Sequence, residues 1–189
     1  MNEPGNLFHS IAILREDVAS QIAAGEVIER PTSVVKELVE NAIDAGALEI
    51  EVKIEEAGKK TIEVSDNGRG IPQNELRLSV TRHATSKLTS ADQLFSIATL
   101  GFRGEALASI ASVSQFTIQS RSKKEDLGAS LYIEAGKEIS FETIGMAAGT
   151  RVVVKNLFYS VPARLKFLKS DSTEKQRISA LLMRYGLAY

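Results

Sequence analysis

Apolar residues recur at helical spacing, then at alternate positions, then at helical spacing again, and this order sets out the elements. Val18, Ile22 and Ala23 follow Asp17, which is suited to cap a first helix that "AAGE" at 23–26 would interrupt. Val34, Val35, Leu38, Val39, Ala42 and Ile43 mark a second helix, capped by Thr32 or Ser33 and stopped by Gly46. "LEIEVKIEE" alternates Leu48, Ile50, Val52 and Ile54 with Glu49, Glu51, Lys53 and Glu55, the period of a half-buried strand, and "TIEVSD" reads as its hairpin partner across "AGKK". A helix is expected over 75–84, a long mixed connection from Thr85, and a further helix through Leu107, Ile110 and Ala111. "QFTIQSR", "ASLYIE", "EISFETI" and "TRVVVKNLF" give four strands in succession. An amphipathic helix closes the chain from Asp171, with Ile178, Leu181, Leu182 and Tyr185 on one face. Strands in runs predict an α+β fold: a two-layer sandwich of helices on a mostly antiparallel mixed sheet. Residues 1–10 read as a flexible tail and 11–189 as one domain.

Composition agrees with one ordinary core. The chain has 189 residues, 43% apolar and 25% charged, and no cysteine, which excludes disulfides and thiolate metal sites. No apolar run approaches the roughly 20 residues of a membrane span, and the first ten residues lack a secretory pattern. The net charge of −1 conceals an uneven distribution: nine acids to three bases from Glu37 to Asp66, against seven bases to two acids from Arg151 to Arg177. That asymmetry suits a cation-using region beside a region for an anionic partner, and equally two solvated faces.

Three stretches carry chemistry. In "KELVENAIDAGA", Glu37, Asn41 and Asp44 share one helical stripe with no lysine at i+4 from Glu37 or Asn41. An amide oxygen beside carboxylates suits Mg²⁺, and a glutamate one turn away suits a general base acting on water. The competing reading is a solvated polar edge. "DNGRG" sets Asp66 at a strand end, where a carboxylate can accept a hydrogen bond from an exocyclic amine such as that of adenine; a plain Asx turn explains it equally. "GFRGEA" sets Gly101 and Gly104 before a helix, where free N–H groups receive phosphate oxygens, with Lys87 and Arg103 adding charge. Neither the P-loop nor the dinucleotide fingerprint is present. His9 and His83 lack metal-spaced companions, and His83 reads as a loop histidine.

This order of motifs, ending in Gly149–Thr150, resembles the GHKL ATPases, which share the Bergerat ATP-binding fold. "QIAAGEVIERPTSVVKELVENAIDAGA", "VSDNGRGI", "RHATSK", "LGFRGEALASI" and "LFYSVPARLKFLK" resemble MutL-type DNA mismatch repair proteins more closely, across most of residues 13–169. The resemblance implies an ATP-driven conformational switch, with ATP and Mg²⁺ as cofactors. It implies Glu37 as general base, Asn41 as Mg²⁺ ligand and Asp66 as adenine reader supported by Thr150. Gly68 and Gly70 would shape the base pocket, and Ala45 and Ile71 would also bind the nucleotide. Residues 81–104 would form an ATP lid, with Thr85, Ser86 and Lys87 near its start and Gly101, Phe102, Arg103 and Gly104 at the phosphates. DNA would meet Arg164 and Lys166, basic residues beyond Pro162. The implied partners are DNA, a mismatch-recognition protein of the MutS type and a second MutL-type chain, with no membrane, in a bacterial cytoplasm or a eukaryotic nucleus. MutL-type chains continue into further domains, so the resemblance implies a fragment whose hydrolysis is weak or impaired. The alternative is another GHKL-fold protein, a kinase or a non-hydrolytic module; ATP turnover without protein phosphorylation separates them.

Overall fold

The computed structural model describes residues 12–87, 100–101 and 104–189. Two helices open the chain, α1 (Glu16–Val27) and α2 (Pro31–Asp44), followed by the hairpin β1 (Ile50–Glu55) and β2 (Thr61–Asp66). Two short helices, α3 (Gln73–Ser79) and α4 (Ala106–Ser112), precede β3 (Gln115–Arg121), β4 (Gly128–Glu134), β5 (Lys137–Ile144) and β6 (Gly149–Lys155). A 3₁₀ turn at Arg164–Phe167 leads into α5 (Asp171–Ala188).

Among the described residues the strands form one sheet in the order β1-β2-β6-β3-β4-β5, antiparallel at every pairing, where the sequence reading expects a mixed sheet. Register makes the alternation visible as rows. Ile54, Ile62, Val154, Phe116 and Ile133 lie side by side across five strands, and Val52, Val64, Val152, Ile118 and Leu131 form the next row. Both rows face the helices, and their central members are buried with Val34, Val35, Leu38 and Val39 of α2, Ile110 of α4 and Ile178 of α5. Burying a large aliphatic side chain contributes about 1.5–3 kcal/mol, so these rows dominate the fold's stability. One step further along the same face the row turns polar: Asp66, Thr150 and Ser120. The apolar core ends there and a polar floor begins.

Three boundaries differ from the sequence reading. α1 runs unbroken through "AAGE", and Gly25 has a packing reason: the Arg164 guanidinium lies over it, where a Cβ would sit 1.2 Å from its Nη2. α2 begins at Pro31, with Arg30 at the N-cap in place of Thr32 or Ser33; proline already lacks the N–H that a first-turn residue leaves unused. α3 starts and stops earlier than 75–84, where Ser79 Oγ and Thr81 Oγ1 donate to the carbonyls of Leu76 and Arg77 and compete with continued helix. Among the described residues no helix is long and apolar enough to cross a membrane.

Candidate functional site

The polar floor and the polar stripe of α2 meet in one cleft of about 520 Å³, within the range of small-ligand sites. Glu37, Asn41 and Ala45 line it from the helix, Asp66 and Thr150 from the sheet, and Gly70 and Ile71 from the loop after β2. Thr85, Ser86, Lys87, Gly101 and Gly104 close it from the connection to α4. Residues more than a hundred positions apart thus converge as the motif reading expects. Gly68 stands just behind, packed so closely that a Cβ would meet Ala45 Cβ and Asp66 Oδ1 at 2.9 Å. Phe102, Arg103, the lid interior at 88–99 and the expected tail at 1–10 lie outside the described residues.

Asp66 ends β2 opposite Thr150. Its Oδ1 accepts from the Gly68 amide at 2.8 Å, and the Thr150 backbone amide also donates to it. Burial outweighs these two donors and pushes the Asp66 carboxyl above its ordinary value. Ser120, which the sequence reading missed, stitches the floor together. Its Oγ accepts from the Ile71 amide at 2.8 Å, donates to the Gly149 carbonyl at 3.0 Å, and lies 2.9 Å from Thr150 Oγ1. Only its even position in β3 marked it as inward-facing. Gly70 has φ +68°, and a Cβ there would come within 2.0 Å of the Arg121 carbonyl oxygen; the loop can press onto β3 only with glycine at this point.

At the other end, the Lys87 ammonium sits 2.9 Å from Asn41 Oδ1 and 2.6 Å from Asp44 Oδ2. Asp44 also accepts from the amides of Leu100, at 3.1 Å, and Gly101, at 3.2 Å, so both ends of the connection meet on one carboxylate. Burial opposes charge on Asp44, yet the hydrogen bond from Lys87 and the two amides outweigh it and hold the carboxyl below its ordinary value. The lysine therefore lies against Asn41 and Asp44. An amide oxygen and a carboxylate already holding an ammonium are a donor set that also suits a hard divalent cation. Among the described residues no three His, Cys, Asp or Glu side chains gather, so such a cation would draw its remaining oxygens from water and phosphate.

Behind Asn41, Lys36 lies between two carboxylates: its Nζ donates to Glu40 Oε2 at 2.8 Å and stands 3.6 Å from Glu37 Oε1. Tyr185 of α5 donates its hydroxyl to Glu40 Oε1 at 2.5 Å. Glu40 is only 6% exposed. His83 pairs with Glu105 at the surface, as befits a loop histidine.

The expected DNA contacts fall away from the cleft, and one is corrected. Arg164 turns inward and donates to the carbonyls of Gly25 at 2.9 Å and Ile28 at 3.3 Å, closing the C-terminal end of α1. Four such carbonyls are left open at any helix end, and a guanidinium satisfies them well. Arg164 is therefore no free phosphate contact, whereas Lys166 is exposed.

Residues 28–149 match the family described as "Histidine kinase-, DNA gyrase B-, and HSP90-like ATPase". The chain is 52% identical over 178 residues to the DNA mismatch repair protein MutL of Geotalea daltonii, covering 94% of the chain and 30% of that protein. MutL of Geobacter sulfurreducens is 52% identical over 180 residues, 95% of the chain and 30% of that protein. Among solved structures, the Aquifex aeolicus MutL ATPase domain complexed with ADP superposes with a TM-score of 0.68 at 37% identity, over 85% of this chain and 56% of that one. The chain thus spans less than a third of the length of these MutL relatives.

Proposed function

Since the chain belongs to the histidine kinase-, DNA gyrase B- and HSP90-like ATPase family, we propose that it binds and hydrolyses ATP as the N-terminal ATPase region of a MutL-type DNA mismatch repair protein. The observation that carries this reading is the convergence of Glu37 and Asn41 on α2 with Asp66 on β2 around one cleft. Asp66 accepts from the adenine amine, its position fixed by Gly68 and Thr150. Ile71, Ala45 and Gly70 border the base. Gly101 and Gly104, with Thr85, Ser86 and Lys87, receive the phosphates. Asn41 would hold Mg²⁺ through its amide oxygen, and Lys87, which donates to that oxygen, would then pair with a phosphate instead. Bound there, Mg²⁺ supplies positive charge that offsets the polyphosphate. Glu37 orients a water and takes its proton.

The wider reading follows the MutL relatives: ATP binding switches the protein's conformation and pairs two such chains, with DNA and a MutS-type protein as partners, in the cytoplasm of a bacterium or the nucleus of a eukaryote. The site test is Glu37→Ala. It should retain binding of a non-hydrolysable ATP analogue in calorimetry while turnover falls by about 10²- to 10⁴-fold, the usual contribution of a general base. Equal turnover in variant and parent rules the role out.

A further inference from the structure

We infer that Glu40, braced by Tyr185, is a positioning residue that draws the Lys36 ammonium toward itself, loosens its pairing with the Glu37 carboxylate and so leaves lone pairs of that carboxylate open to water. The inference rests on Glu37 being the general base.

Lys36 has two carboxylates within reach and favours one, at 2.8 Å from Glu40 against 3.6 Å from Glu37. The preference has a cause. Glu40 is buried, its side chain 8% exposed, and Tyr185 anchors one of its oxygens. A buried carboxylate demands compensation, so the second oxygen retains the nearest cation. Glu37 is more open to solvent, its side chain 26% exposed, and water can satisfy it without Lys36. The flexible four-carbon stem of lysine spans either carboxylate. If Glu40 lost its charge, the ammonium would close the gap to Glu37, occupy the lone pairs that receive the water's proton, and weaken the base.

Tyr185 lies on α5, 145 positions from its partner. The contact thus joins the reaction helix to the last helix of this chain.

A purely structural role for Glu40 predicts loss of stability and nothing more. The positioning role predicts a kinetic signature. In the longest natural chain carrying these residues, Glu40→Gln should lower kcat for ATP by about tenfold with KM little changed, the pattern of an interaction made in the reaction step. Lys36→Met added to Glu40→Gln should then restore most of the lost rate, because the competing ammonium is gone. Tyr185→Phe keeps the ring packing and the Glu40 charge but frees that carboxylate to turn away from Lys36; it should lower kcat in the same direction, and Lys36→Met should again restore it. A parent-like kcat in Glu40→Gln or, should that variant not fold, in Tyr185→Phe overturns the inference, as does a double variant as slow as its single parent. Glu37→Ala run beside them separates the two readings. If it keeps full turnover, the general-base assignment has failed; if it abolishes turnover while Glu40→Gln does not slow it, only the positioning role has failed.

Discussion

Asp66 shows how one side chain can satisfy two demands. Its carboxylate fixes the turn through Gly68 and still lines the cleft, so the turn reading holds and leaves room for the ligand reading proposed above. Asp66→Asn keeps the size but replaces one acceptor with a donor facing an amine. Binding of an ATP analogue should weaken by about tenfold or more, the scale of one hydrogen bond to a charged group. Unchanged affinity by calorimetry would leave Asp66 a turn residue alone. Legibility at this scale followed local density. "DNGRG" and "KELVEN" announce themselves because several unusual residues share a short stretch. Ser120 stands alone in an ordinary strand, and nothing near it shows that Ile71 and Gly149 will need its hydroxyl. Arg164 was misread for the same reason. Its partners lie 139 and 136 positions away, so a half-buried helix cap looks in sequence like a solvated base.

Among the elements, the strands were most legible, since period two survives wherever one face packs on helices and the other meets water. The outer face carries its own cross-strand pair, Arg151 of β6 with Glu63 of β2, joined by two hydrogen bonds of 2.9 Å. The hydrogen bond from Arg151 holds the Glu63 carboxyl below its ordinary 4.5. A carboxyl depressed in the folded state stabilises the fold above its unfolded value, and that contribution disappears as pH falls through the folded value. Glu63→Gln should therefore cost about 0.5 kcal/mol at neutral pH, as for a pair partly open to water. Thermal unfolding of variant and parent should converge below about pH 4. A gap that persists at low pH would assign the effect to packing. Helix boundaries were less legible, because the glycine inside α1 makes room for a distant arginine and does not end the helix, and α2 starts on a proline that the capping rule passed over.

Across the whole molecule, the acidic and basic stretches of the chain contribute differently to the cleft. The acidic stretch supplies Glu37, Glu40, Asp44 and Asp66 to the cleft and its surroundings, while Lys166 stands exposed elsewhere. Duplex DNA should bind weakly, with affinity falling steeply between low and physiological salt. Lys166→Glu should weaken binding and flatten the log–log salt slope by about 0.9 for each phosphate contact removed. Fluorescence anisotropy at several salt concentrations measures both, and parent-like values would place the DNA surface elsewhere. The order of chain synthesis gives the Arg164 contact one more consequence. The end of α1 leaves the ribosome early, yet its carbonyls wait for residue 164; Arg30 waits for Glu174, and Glu40 for Tyr185. Early segments therefore remain incompletely satisfied until α5 has emerged, and such long-range closures slow folding. A nascent chain stalled before residue 164 should be open to proteolysis at α1, while one in which residues 164 to 185 have emerged should be protected there.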